Sequence, residues 1–129
     1  MRHLRLILSA GLLVGLVAAP TADALVATTQ PGSTTSGYTS AVFVHPKGRQ
    51  LTYANFDIDF HDIRSSEPRP DRNAPHCDPV GPCPLFKSDT LGLGETGIVF
   101  GTEGIPAGSY GFYCTLHTWM TGTLIVVGT

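Results

Sequence analysis

The chain has 129 residues with eight Lys and Arg against ten Asp and Glu, and 42% of its residues are hydrophobic. A formal charge of −2 without a basic tract excludes the electrostatic footprint of a nucleic-acid-binding protein. Fifteen Gly and ten Pro, with no long apolar stripe at the 3.6-residue period, predict an all-β domain with many turns.

The first residues read as an address rather than as structure. Arg2, His3 and Arg5 form a basic start, Leu6 to Ala18 is apolar, and Ala22-Asp23-Ala24 suits a small-residue cleavage site. This is the layout of a secretory signal peptide over residues 1–24, cleaved after Ala24. The apolar run is too short and too rich in Gly and Ala for a membrane span. No arginine pair precedes it and no Cys follows it for lipid attachment. The expected destination is extracytoplasmic, periplasmic or secreted, by the general export route and without a stable membrane anchor. Residues 25–129 then form one domain of 105 residues, a length that suits a single core. Arg2, Arg5 and Asp23 leave with the leader, so six basic and nine acidic residues remain, a charge of −3.

Residues 25–38, LVATTQPGSTTSGY, are polar and small and read as a short flexible lead-in with room for one early strand. A β-rich segment follows from Thr39 to Pro46 and ends in the turn HPKG. Arg49 to Asp57 alternates Leu51 and Tyr53 against Thr52 and Ala54, the period of a half-buried strand. Ile58 to Ile63 alternates again, with Ile58, Phe60 and Asp62 on one face and Asp59, His61 and Ile63 on the other. From Arg64 to Pro84 six prolines and no apolar period predict a long loop, a functional or tied-down segment by its length. Further strands are expected near Leu85 to Phe86, around Thr96 to Phe100, from Ser109 to Cys114, and over GTLIVVG at the end. There is no internal repeat. Seven or eight short strands at this spacing predict a β-sandwich.

The three cysteines are Cys77, Cys83 and Cys114. In an oxidising compartment thiols pair, and an odd count leaves one over. Cys77 and Cys83 bracket CDPVGPC, whose Pro79, Gly81 and Pro82 favour a tight return, so they are the expected disulfide. Cys114 is then unpaired.

Cys114, His117 and Met120 stand at i, i+3 and i+6 between two strand-like segments. Taken singly, they read as a small buried hydrophobe, a turn histidine and a gap-filling core residue. Taken together, they are three donors with a preference for soft metals. A fourth donor is needed from His45, His61 or His76. His45 precedes Pro46 at a strand end and His76 lies in the Pro-rich loop; both read as solvent-facing. His61 sits in a strand-like segment, where a ring nitrogen needs a buried partner or a metal. Structural zinc prefers four strong donors, and calcium and magnesium want oxygen. Two imidazoles, a thiolate and a thioether match a blue copper centre, with a His₂Cys plane and a long axial Met.

Two segments carry a resemblance. YGFYCTLHTWMTGTLIV resembles the ligand loop and last strand of the cupredoxins, the plastocyanin and amicyanin family. LTYANFDIDFHDI resembles the family's first-ligand segment, with an Asn-x-Asp turn and a His four residues past the Asp. The C-x2-H-x2-M loop is most similar to amicyanins, and the likeness covers roughly residues 43–63 and 91–127. It implies a Greek-key β-sandwich of about seven to eight strands and one copper ion held by His61, Cys114, His117 and Met120. The sequence departs from the family's pattern in three places. Asp62 stands where the family usually has Asn, a side chain that ties the ligand loops together, here toward Thr115. Leu116 and Thr118 stand where amicyanin-like loops carry prolines. Residues 64–84 are an insertion on which the resemblance is silent.

The resemblance implies a monomeric one-electron shuttle between larger redox proteins, and not an enzyme. In such proteins the ligand-loop histidine, here His117, shows an edge within an apolar docking patch. Leu116 and Trp119 are the candidates for that patch, with Pro46 as a further one; Trp119 serves equally as a shield over the metal. The alternative function is extracytoplasmic copper buffering or delivery. Delivery favours several Met or His donors, and the chain has two Met, one of them Met1. An oxidase or nitrite reductase would need a second copper site with further His motifs.

Overall fold

The computed structural model describes residues 26–30 and 32–128. The leader expected over residues 1–24 lies outside the described residues. Seven strands are described: β1 (Val26–Thr29), β2 (Val42–Pro46), β3 (Leu51–Asn55), β4 (Arg64–Ser65), β5 (Thr96–Val99), β6 (Gly108–Tyr113) and β7 (Thr121–Val127). One helical turn, α1 (Ser33–Ser36), follows β1, and a 3₁₀ turn covers Thr102–Gly104. No helix among the described residues is long and apolar enough to cross a membrane.

The strands form two mixed sheets, ordered β1-β3-β5 and β2-β7-β6-β4. β1 runs parallel to β3 and β2 parallel to β7, while β5 with β3, β4 with β6, and β6 with β7 are antiparallel. The expected all-β sandwich is present. Its core draws Leu51, Tyr53 and Val99 from one sheet and Phe43, Phe112, Leu124 and Val126 from the other, with Tyr38, Ile63 and Phe86 from connecting segments. Each such side chain contributes about 1.5–3 kcal/mol on burial, opposed by the entropy of ordering the chain. Tyr38 meets Phe112 edge-on at 5.1 Å between ring centroids, and Phe112 covers Phe43 at 5.9 Å.

The period of two explains most of the strands and one misreading. In β2, Phe43 and His45 face inward while Val42 and Val44 face out. His45 is therefore buried, not on the surface: an imidazole in phase with Phe43 must point to the core. Its Nε2 is 2.7 Å from the Arg49 carbonyl across the HPKG turn, which offsets the desolvation of one nitrogen. His76 is half-buried, its Nε2 3.2 Å from the Pro84 carbonyl.

Three further expectations change. The lead-in is not loose: Ala27 and Thr29 are fully buried in β1, and α1 folds back over residues 57–59, where Thr34 donates to Asp57 and Asp59. Residues 58–63 form no strand. Ile58, Asp59 and Phe60 are exposed and His61, Asp62 and Ile63 are all buried, with a single bridge between His61 and Leu91. Three consecutive inward residues are incompatible with a pleat, so the apparent alternation in IDFHDI is accidental. Leu85–Phe86 is likewise no strand, because the pairing falls on isolated bridges at Pro84 and Lys87. The long loop instead begins with β4, which pairs Arg64 with Tyr113 and Ser65 with Phe112.

The β6–β7 hairpin sets the position of everything that follows. Tyr113 pairs with Thr121 at its mouth, and Gly108 with Val126 at its far end. The connection 114–120 is thereby fixed at one end of the sandwich. Pro46 pairs with Val127, six residues from Thr121, or about 20 Å along the strand. It lies at the opposite end and cannot join a patch around His117.

Candidate metal centre

β6 delivers Cys114 to the end of the sheet with its side chain fully buried. The chain turns at once: the Met120 N–H donates to the His117 carbonyl at 2.8 Å, and the Cys114 N–H donates to the Met120 carbonyl at 3.0 Å. Those two bonds close the loop and turn Met120 inward, where it too is fully buried. His117 is half-buried at the rim, and Leu116, Thr118 and Trp119 are exposed.

His61 arrives from the other loop. Its backbone exchanges two hydrogen bonds with Leu91, at 3.1 and 2.8 Å, and its ring is fully buried. His61 Nδ1 lies 3.9 Å from Cys114 Sγ, and His117 Nδ1 lies 3.8 Å from the same sulfur. One donor atom from each of His61, Cys114 and His117 lies within 4.8 Å of the other two. The two imidazole rings stand 4.8 Å apart between centroids. Residues 53 positions apart in sequence thus meet at one point.

Two buried side chains hold the loops in register. Asp62 takes the Thr115 N–H at 2.6 Å on Oδ1 and the Thr115 hydroxyl on Oδ2. It thereby joins the residue after His61 to the residue after Cys114, and Tyr38 donates its phenol to the Asp62 carbonyl at 2.5 Å. Burial pushes the Tyr38 phenol far above its ordinary range, so it stays a neutral donor. Asn55, fully buried, uses both ends of its amide. Its Nδ2 donates to the Asp59 and Leu91 carbonyls at 2.8 and 2.9 Å, while its Oδ1 accepts from the Thr29 hydroxyl at 2.6 Å and the Asp57 N–H at 2.9 Å.

Asp57 sits beneath His61, its Oδ2 3.0 Å from His61 Nε2. Burial raises its pKa, but hydrogen bonds from His61 and from the Gly32, Ile58 and Thr34 amides outweigh that and lower it to about 2. Burial also pushes the Cys114 thiol up, with the Asp62 charge adding to it, against backbone N–H groups at Asp62, Leu116 and His117 that favour the thiolate. A buried thiolate here needs a cation, as a metal supplies.

Trp119, 63% exposed, stands edge-on to His117 at 5.5 Å between centroids. The roles of Asn55, Asp57 and Tyr38 were not assigned from sequence. The first two had a visible signal, an Asn-x-Asp turn four residues ahead of His61; Tyr38 had none, because its target is a backbone carbonyl 24 residues away. The Pro-rich loop contributes no donor to this group. It carries the expected Cys77–Cys83 disulfide, and Cys114 is free.

The donors fit one copper ion. Two imidazole nitrogens and a sulfur converge, a thioether residue is buried in the same loop, and no carboxylate belongs to the converging group; that is the donor chemistry of copper rather than of calcium or magnesium.

No protein-family model matches the chain, and no curated protein matches it in sequence. Solved structures do match. A purple cupredoxin from Nitrosopumilus maritimus is 24% identical, with 80% of this chain and 99% of that one covered at a TM-score of 0.59. The amicyanin of Paracoccus versutus is 20% identical over 83% of this chain and 84% of its own, at a TM-score of 0.56. An amicyanin variant in its reduced Cu(I) form is 18% identical over 83% and 85% of the two chains, also at 0.56. These likenesses, with the two mixed sheets and the hairpin-borne loop described above, show that the chain has the cupredoxin fold.

Proposed function

We propose that this protein is a mononuclear type 1 copper protein that carries single electrons between larger redox partners. The observation that carries the reading is the convergence of one donor atom each from His61, Cys114 and His117 within 4.8 Å, with both Nδ1 atoms 3.8–3.9 Å from Cys114 Sγ. His61, Cys114, His117 and Met120 are the ligands in this reading. Copper, when bound, supplies a one-electron Cu(I)/Cu(II) couple.

The chain's own residues do the rest. Asn55, Asp57 and Asp62 hold the two loops so that neither imidazole must move when charge changes, which keeps reorganisation small. The burial of His61, Cys114 and Met120 excludes water. His117, at the rim, offers the route to a partner, and exposed Leu116 and Trp119 provide a small apolar docking surface suited to brief encounters. The structural neighbours support the reading, since they include a purple cupredoxin and an amicyanin variant in its Cu(I) form. Export with removal of residues 1–24 belongs to the same proposal.

The test is the visible spectrum of the mature protein with Cu(II). An intense thiolate-to-copper charge-transfer band is expected, and Cys114→Ser abolishes it while the domain stays folded. A colourless wild-type complex overturns the reading. Met120→Leu separates transfer from storage. Three strong donors persist, so the copper stays bound and coloured, while the apolar replacement keeps the site dry, disfavours the more highly charged ion and raises the potential. Ready release of copper from Met120→Leu at neutral pH would instead identify an exchangeable Cu(I) carrier.

A further inference from the structure

The segment Gly32–Ser36 touches both histidine loops, and nothing in the electron-carrier reading requires it to. Asp57, 2% exposed, accepts from the Gly32 N–H at 3.1 Å and the Ile58 N–H at 2.9 Å on Oδ1. On Oδ2 it accepts from the Thr34 N–H at 3.2 Å and faces His61 Nε2 at 3.0 Å. The Thr34 hydroxyl donates to Asp59 Oδ2 at 2.5 Å. On its other side, the Thr34 carbonyl accepts the indole N–H of Trp119 at 2.9 Å, and Trp119 stands against the His117 ring. One peptide segment therefore links the partner of His61 to the neighbour of His117.

We propose that Gly32–Ser36 is a clasp that positions both histidines of the metal centre, acting on His61 through Asp57 and on His117 through Trp119. A carboxylate can only accept, so His61 must carry its proton on Nε2. Its Nδ1 is then left as a lone pair facing Cys114 Sγ. Partners of this kind fix the tautomer and ring orientation of a metal-ligating histidine. Here the partner is itself locked by three amides, two of them from the clasp. Trp119 is exposed, yet its indole N–H anchors it to the Thr34 carbonyl, so its ring is held beside His117 rather than free to turn. Asp57 and Trp119 are positioning residues, since neither offers a donor to the converging group.

This inference rests on the copper reading, so its test uses two arms. In the first arm, nitrogen-15 NMR of the Cu(I)-loaded and the metal-free protein follows the His61 ring proton and the Gly32 and Thr34 amides. Wild type should show a slowly exchanging proton on His61 Nε2 and protected amides in both forms. Trp119→Phe keeps an apolar ring but removes the bond to Thr34. It should speed exchange of both amides and of the His61 ring proton, which lies in the other loop, 58 residues before the change in sequence. In the second arm, Cu(I) affinity is measured by competition with a chelator of known affinity. Asp57→Asn should weaken binding about 10–100-fold, the usual effect of losing such a partner, and Asp57→Glu should recover part of the loss. Unchanged exchange in Trp119→Phe, or unchanged affinity in Asp57→Asn, overturns the clasp. If wild type binds no copper while the His61 proton is still protected, the copper reading fails and the clasp survives. If Asp57→Asn does not fold, Trp119→Phe, a change at an exposed site, decides by itself.

Discussion

Two loops follow one another in the chain and are held in opposite ways. Residues 56–63, which carry His61, are fixed by buried side chains that bond backbone groups: Asn55 and Asp57 beneath, Asp62 across to Thr115. Residues 64–84 are anchored at their start by β4 and a few backbone bonds, and beyond it they are fixed mainly by a covalent link and by charges at the surface. Cys77 is joined to Cys83, Asp78 pairs with Arg64 at 2.7 Å and Lys87 at 2.5 Å, and Arg72 caps the Asp78 and Pro79 carbonyls at 2.9 and 3.0 Å. The difference reflects the accuracy that each loop needs. A metal ligand must be placed to a fraction of an ångström, which short, dry, multiply shared hydrogen bonds provide. The Pro-rich loop needs only to stay closed, and a disulfide with a few half-exposed ion pairs is enough.

Mutations that exchange these two kinds of restraint should have very different effects. The largest is expected from Asn55→Ala. It removes four hydrogen bonds at once and leaves the Asp57 N–H without a partner, while Thr29 keeps Tyr53 and the Leu91 carbonyl keeps the His61 N–H. The cost should be about 3 kcal/mol, since a hydrogen bond contributes about 0.5–1.5 kcal/mol and a buried unsatisfied group costs about 1–3 kcal/mol. Chemical denaturation would show it, and copper binding should weaken in parallel. A small loss of stability with unchanged affinity would mean that the first-ligand loop is held elsewhere.

The second effect falls on the other loop. Replacing Cys77 and Cys83 by Ser together opens a link that spans six positions in sequence. Loop-closure entropy puts its contribution at about 2 kcal/mol. Denaturation midpoints should fall accordingly, while the visible spectrum of the copper form should stay as in wild type. A changed spectrum would show that the loop reaches the centre after all.

The smallest effect tests the ion pairs. Hydrogen bonds from Lys87 and Arg64 hold the Asp78 carboxyl at about 2, below its ordinary 3.8. A depressed carboxylate adds stability above its unfolded pKa and loses it as pH falls through the folded one. The advantage of wild type over Asp78→Asn should therefore be full above about pH 4 and vanish toward pH 2. Because Asp78 is 36% exposed, that advantage should not exceed about 1 kcal/mol. A gap that persists at pH 2 would assign it to packing instead.

Much of this was legible in the residues themselves. Donor types at i, i+3 and i+6, an Asn-x-Asp turn ahead of a lone histidine, and two cysteines around a Pro-Gly return each carry their chemistry locally. Strand alternation was equally readable in Leu51 and Tyr53, and correctly applied it would have turned His45 inward with Phe43. What sequence could not supply was the meeting of distant backbone groups. Tyr38 reaching the Asp62 carbonyl, Thr34 serving both Asp57 and Trp119, and the convergence of His61 with Cys114 depend on which strands pair and in what register. Parallel pairing of β1 with β3 sets α1 beside the first-ligand loop, and the β6–β7 hairpin sets the second loop at the same end. Side-chain identity determined which atoms could bind a metal, because donor strength belongs to the residue. Only the tertiary structure decided that they converge at one point, because hydrogen bonds to the backbone carry no residue signature on the accepting side.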